Sequence, residues 1–158
     1  MRTTYYTATS LDGFIADPAD SLAWLFVQEH LEPDEPALRY DALMERVGAL
    51  VMGATTYEWI RERVTSGTDP WSYDVPTWVL THRDLPDIEG ADVRFTSGDV
   101  AAVHADIAAS AGGGDLWVVG GGDLAGQYAD AGLLDDVVVS YAPVTLGEGR
   151  PLLPRRLQ

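Results

Sequence analysis

Cysteine and lysine are both missing from this chain of 158 residues. Without cysteine there are no disulfides, thiolate nucleophiles, iron–sulfur clusters or thiolate zinc sites. Without lysine there is no amine for Schiff-base chemistry or for a Walker-type phosphate loop. Basic charge is scarce as well: 10 Arg stand against 25 Asp and Glu, for a formal charge of −15. Such a field repels phosphodiester backbones, so nucleic acid is not an expected partner. No stretch approaches the roughly 18 apolar residues of a membrane span, and no membrane partner is expected. The opening residues MRTTYYTATSLDGFIADP hold one basic residue and interrupt their apolar positions with Thr, Ser and Asp, unlike a secretory signal. The expected location is the cytoplasm. The 3 His are far apart and have no metal-ligand spacing, so no metal is expected.

What is present reads as globular: 46% hydrophobic and 22% charged residues. The length suits a single domain over residues 1–158, with no repeat, low-complexity tract or linker. Residues 3–9 alternate and are rich in Thr and Tyr, as in a strand, and Asp12-Gly13 marks a turn. Residues 17–34 are irregular and acidic around the apolar island Trp24-Leu25-Phe26. Pro36 suits a first helical turn, and Tyr40, Leu43, Met44 and Val47 continue as one helical face. Short apolar strands are expected at Ala49–Met52, Thr77–Leu80, Val93–Phe95, Leu116–Val119 and Val137–Tyr141. Helices are expected at about 55–64, after Asp99 as its cap, and through Leu124, Tyr128 and Ala131. Alternating strands and helices imply a largely parallel sheet covered on both faces, with ligands at the carboxyl ends of its strands.

Four segments at such ends could carry chemistry. In LWVVGGGDL (Leu116–Leu124) a buried strand meets Gly120-Gly121-Gly122 and then a helix. Glycines let backbone approach a diphosphate, and the helix start adds free N–H donors; a tight turn at positive φ is the ordinary alternative. No acid follows the next strand to hold a ribose, so an ordinary Rossmann site is rejected. Met52-Gly53-Ala54-Thr55-Thr56 repeats the strand–glycine–helix pattern, where Thr55 or Thr56 could cap the helix or bond a phosphate. Thr81-His82-Arg83 ends the next strand; Arg83 could pair with a phosphate monoester or be merely solvated. Asp12 could bond only its own turn.

The order of the pieces is more specific than any one of them. SLDGFIAD from Ser10, MGATTYE from Met52, VLTHR from Val79, VVGGGDL from Val118 and APVTLGEGRPLLP from Ala142 follow one another. Together they resemble the dihydrofolate reductase-like superfamily, in the branch of the reductase domain of bacterial riboflavin biosynthesis (RibD C-terminal domain-like). The resemblance runs through almost the whole chain. It implies a three-layer α/β fold, with a central mostly parallel mixed sheet, helices on both faces and an NADPH site at the strand ends. It also implies that Ala8 and Ile15 border the nicotinamide. Gly53, Thr55, Thr56, Gly120, Gly121 and Gly122 would serve the phosphates. Thr81, His82 and Arg83 would meet the adenosine ribose and its 2′-phosphate. Asp12 and Trp24 would lie near the substrate, with Asp12 as first choice of proton donor.

Three positions depart from the family pattern. Ala54 stands where Arg usually follows the glycine. Ala37 stands at the position matched to the carboxylate that binds folates, so dihydrofolate is not the expected substrate. Relatives usually continue past PLLP into another hairpin, whereas this sequence stops at Gln158. The function expected is an NADPH-dependent reductase that transfers hydride to a small C=N or C=O substrate, pterin- or aminopyrimidine-like. A non-catalytic nucleotide-binding or sensory domain of the same fold is the alternative, and an interaction module without ligand is the third reading. Val137-Val138-Val139 is β-branched and apolar on both faces, so both faces need cover; a homodimer through this part of the sheet is expected.

Overall fold

Eight strands and five helices follow one another along residues 1–158, all of which the computed structural model describes. In chain order they are β1 (Thr3–Thr9), β2 (Phe14–Ala16), α1 (Ala23–Phe26), α2 (Tyr40–Arg46), β3 (Val47–Gly53), α3 (Ala54–Thr65), β4 (Thr77–Leu80), β5 (Val93–Thr96), α4 (Val100–Ser110), β6 (Asp115–Gly120), α5 (Gly122–Asp130), β7 (Asp136–Tyr141) and β8 (Arg150–Pro151). Six strands form one sheet in the order β5-β4-β3-β6-β1-β7, and all of its pairings are parallel. The antiparallel component is a separate ribbon, in which β2 pairs with β8.

The period-2 alternation of the strands decides the layers. Tyr5, Ala49, Val51, Leu116 and Val118 face α4 and α5 and pack with Val103, Ile107, Leu124 and Tyr128. Leu50, Met52, Val79 and Trp117 point the other way, onto Leu43 of α2 and Tyr57 of α3. Each fully buried aliphatic side chain contributes about 1.5–3 kcal/mol relative to exposure, so both faces carry substantial hydrophobic stabilisation.

One sequence expectation is corrected here. The helix expected from Pro36 through Val47 is instead a 3-10 turn at Pro36–Leu38 followed by α2. Arg39 is extended, with φ −75° and ψ 152°, and separates the two. Val47 is buried as its position in the helical pattern suggests, but it already belongs to β3. The cover expected for the last sheet strand is not supplied by the chain itself. β7 is the sheet's edge, and Val137 and Tyr141 are 42% and 63% exposed.

Strand order positions the site. From β3 the chain steps outward to β4 and β5, then returns to insert β6 between β3 and β1. The helix after β3 packs on one face and the helix after β6 on the other. The crevice beyond Gly53 and Gly120 is therefore the point where the winding reverses, the preferred ligand position of open parallel sheets.

Candidate functional site

A cavity of about 800 Å³ opens at this reversal. It is lined by the strand ends and by the loops that overhang them. Of the residues singled out from the sequence, Ile15, Gly53, Thr55, Thr56, Thr81, His82, Gly120, Gly121 and Gly122 line it. Register explains the convergence. Met52 is paired with Gly120 and Gly53 with Leu80, so the turns after β3, β4 and β6 leave the sheet side by side.

Both helices that start at the cavity begin without a side-chain cap. Gly53 is the N-cap of α3 and Gly121 that of α5, and neither helix has a capping side-chain bond. Thr55 and Thr56 lie inside the helix rather than capping it. The first N–H groups of both helices thus have no side-chain acceptor where their residues line the cavity, each at the positive end of a helix dipole. Two such ends around one cavity suit a ligand with two linked anionic groups.

The adjacent glycines do different work. Gly120 has φ +147°, in the region that favours glycine. A Cβ on Gly121 would meet only Ile15 Cδ1, at 3.8 Å, so that position is open to a ligand. A Cβ on Gly122 would lie 2.3 Å from the Pro151 carbonyl oxygen, so that glycine exists to let the C-terminal segment pack on the start of α5.

Four expected site residues are not in the lining. Ala8 is replaced by its neighbour Thr7, which lies on the cavity side of β1. Arg83 sits just outside; its guanidinium donates to Glu58 on α3, and its backbone N–H donates to Thr81 Oγ1 at 3.0 Å. Trp24 donates its indole N–H to the Ser21 carbonyl at 3.2 Å, and Leu22 of the same segment faces the cavity instead.

Asp12, expected beside the reacting atoms, is an anchor in this geometry. Its carboxylate accepts from the Ser10 hydroxyl at 2.6 Å and from the backbone N–H groups of Leu146 and Gly147 at 3.0 and 2.7 Å. The Ser10 bond, with the backbone donors behind it, holds its pKa down at about 2. A carboxylate so engaged keeps no proton to give at neutral pH. It ties the Ser10–Phe14 turn to the segment that becomes β8, and so sets the β2–β8 ribbon against the cavity.

The remaining lining residues were not singled out in the sequence. Asp20, Leu22, Trp59, Ile60, Tyr73, Asp123 and Arg150 come from loops, from the middle of α3, from the first turn of α5 and from β8. The charged ones are paired. Arg150 forks onto both oxygens of Asp20, at 2.6 and 3.2 Å, and Arg155 meets Asp123 at 3.0 Å. Bonds from Gln127 and then Arg155 lower the pKa of Asp123. No carboxylate from residues 34–41 reaches the cavity. Tyr73 packs edge-on against Trp71 and Trp117, with ring centroids 5.0 and 6.0 Å away, and burial pushes its phenol up to about 12. Nothing in the loop 65–76 marked Tyr73 in advance beyond its being an aromatic residue among Gly, Pro, Ser and Asp. No cluster of His, Asp and Glu in the molecule has a metal-binding arrangement. No helix is long and apolar enough to cross a membrane.

Comparison with known proteins agrees with this architecture. The family model described as the RibD C-terminal domain matches residues 60–157. The crystal structure of a provisionally named riboflavin biosynthesis protein from Shewanella sp. PV-4 is 31% identical and superposes with a TM-score of 0.79, covering 100% of this chain and 88% of that one. Dihydrofolate reductase from Enterococcus faecalis, complexed with NADP(H) and RAB-propyl, shares the fold at 20% identity and a TM-score of 0.58, over 98% of this chain and 77% of that one. The uncharacterised protein YwjB of Bacillus subtilis strain 168 is 29% identical over 152 residues, which cover 96% of this chain and 82% of YwjB.

Proposed function

The chain belongs to the RibD C-terminal domain family and has its reductase-like fold, and from that premise we propose that it is an NADPH-dependent reductase of a small C=N or C=O substrate. The observation that carries this reading is the pair of uncapped helix starts at Gly53 and Gly121, set around one cavity at the winding reversal. Backbone N–H groups can hold a diphosphate there without any unpaired cation in the lining. In this reading Gly53, Thr55, Thr56 and Gly120–Gly122 hold the diphosphate. Thr81 and His82 meet the adenosine ribose, with Arg83 beside them. Ile15 borders the nicotinamide, and Thr7 takes the position expected of Ala8.

A bound nicotinamide supplies the hydride. The chain's part is to orient the two reactants, keep water out and deliver a proton. Among the titratable lining groups, Asp123 and His82 belong to the nucleotide end, and Asp20 is engaged by Arg150. Tyr73 is left. Its O–H stays protonated at neutral pH and is therefore able to donate to the heteroatom of the reduced bond. The walls near it, Leu22, Trp59 and Ile60, suit a flat, uncharged compound such as a pterin or aminopyrimidine. Asp12 serves as an anchor of the β2–β8 ribbon rather than as the acid.

The test is calorimetric titration with NADPH and NADH, followed by cofactor oxidation with pterins, aminopyrimidines and quinones. Binding with turnover supports the enzyme. Binding without turnover supports the second reading, a nucleotide sensor, which Ala54 and the paired state of the lining charges favour. Absence of binding rejects both. Such an activity belongs with the cytoplasmic pyridine-nucleotide pool.

The reading also includes a homodimer. The exposed apolar edge of β7 is an association hazard for a monomer, and a second copy is a simple cover. Sedimentation at micromolar concentration and physiological salt should give twice the 17.1 kDa of the chain. A single species at chain mass rejects the dimer.

A further inference from the structure

Arg83 stands just outside the end of the cavity where the adenosine ribose is proposed to sit, and it is already engaged. Its guanidinium donates to Oε1 of Glu58, in the second turn of α3. The bond from its own N–H to Thr81 Oγ1 closes a short turn after β4, which sets where its side chain leaves the sheet. The pair lies at the surface, with side chains 59% and 42% exposed, so it is reachable by a ligand. Ala54, nearer the helix start, adds no charge. The pair thus sets a carboxylate against the guanidinium, in a chain of formal charge −15.

The two nicotinamide cofactors differ at one atom group. NADPH brings a 2′-phosphate, which seeks the Arg83 fork and is repelled by the Glu58 carboxylate. NADH brings a 2′-hydroxyl, which a carboxylate accepts from. Glu58 thus opposes the first and tolerates the second. We propose that Glu58 is a specificity-determining residue: by occupying Arg83 it narrows the chain's discrimination between NADPH and NADH. This rests on the nucleotide reading above.

The test is isothermal titration of NADPH and NADH into the wild type, Glu58→Gln, Arg83→Ala and the double variant. Removing an exposed ion pair changes fold stability by about 0–1 kcal/mol, so the variants stay folded. The wild type should bind the two cofactors within about tenfold of each other. Glu58→Gln should tighten NADPH about fivefold to tenfold and leave NADH within about twofold, a shift on the scale of one charged contact. Adding Arg83→Ala should cancel the gain. Asp106→Asn, the same charge change on α4 at the opposite face of the sheet, should leave the ratio unmoved. An unchanged or lowered NADPH-to-NADH ratio in Glu58→Gln overturns the proposal, as does an equal shift from Asp106→Asn or a wild type that favours NADPH more than about a hundredfold. Those outcomes leave the nucleotide reading standing. Silence from both cofactors with the wild type rejects that reading and this proposal with it.

Discussion

The two ends of the cavity are built from different material. The end around Gly53 and Gly120–Gly122 is made of backbone that the sheet holds in place: strand ends in fixed register and two helix starts. The end around Leu22, Trp59, Tyr73 and Arg150 is made of side chains brought in by loops, by the middle of a helix and by the two-stranded ribbon. A backbone site recognises what is common to many ligands, a diphosphate. A side-chain site recognises what differs between them. The first can stay constant while the second varies, so under the proposed function cofactor binding and substrate choice are separable.

Mutation at each end should therefore fail differently. Tyr73→Phe removes one oxygen and keeps the ring against Trp71 and Trp117. We expect turnover of the best-reduced pterin, aminopyrimidine or quinone to fall about 100-fold or more, as for loss of a general acid, with the Kd for NADPH within about twofold of the wild type. An unchanged kcat would move the proton donor elsewhere. Gly121→Val should do the reverse. The added Cβ meets only Ile15 Cδ1, at 3.8 Å, and the side chain enters the cavity where the diphosphate is proposed to sit. The stabilisation that NADPH gives at about 100 times Kd, roughly 2.7 kcal/mol, should vanish from thermal melts. A variant that still binds NADPH normally would place the cofactor elsewhere.

Its neighbour sharpens the comparison. Gly122→Ala pushes a methyl group into the carbonyl of Pro151, so it acts on the fold. Overpacking of this kind costs about 1–3 kcal/mol, and each kcal/mol is worth about 2–4 °C in a domain of this size, so Tm should drop by several degrees without any ligand present. An unchanged Tm would mean that the C-terminal segment moves away freely. The smallest effect belongs to the anchor. The pKa of Asp12 is held below its usual value, at about 2. Its contribution is therefore complete above about pH 5, where the unfolded carboxyl is ionised, and is lost as pH falls toward 2. Asp12→Ala should lower Tm by a degree or two at pH 7, and the gap to the wild type should narrow in melts taken down to pH 3. A gap independent of pH would show that the carboxylate charge is not what ties the turn.

Legibility followed the same division. The β4 boundaries were read correctly from Thr77–Leu80, and the buried face of α4 from Val100, Val103 and Ile107, because alternation and the helical period act over a few consecutive residues. The strand–glycine–helix turns were legible for the same reason. Asp12 was visible as a turn residue bonded within its own turn, but its backbone donors lie more than 130 positions away, at Leu146 and Gly147. The short strands β2 and β8 carry no period of their own and exist only because they pair with each other. Gly121 and Gly122 look identical in the chain; what separates them is whether Ile15 or Pro151 stands opposite. By itself, then, the sequence determined most of the sheet strands and the longer helices, the two glycine-ended turns and the family, since each of these rests on residues near one another or on their order. The tertiary structure decided which side chains share a cavity, which charges are already paired and which glycine faces a ligand. Those depend on distances between segments far apart in the chain, and local periodicity holds no record of them.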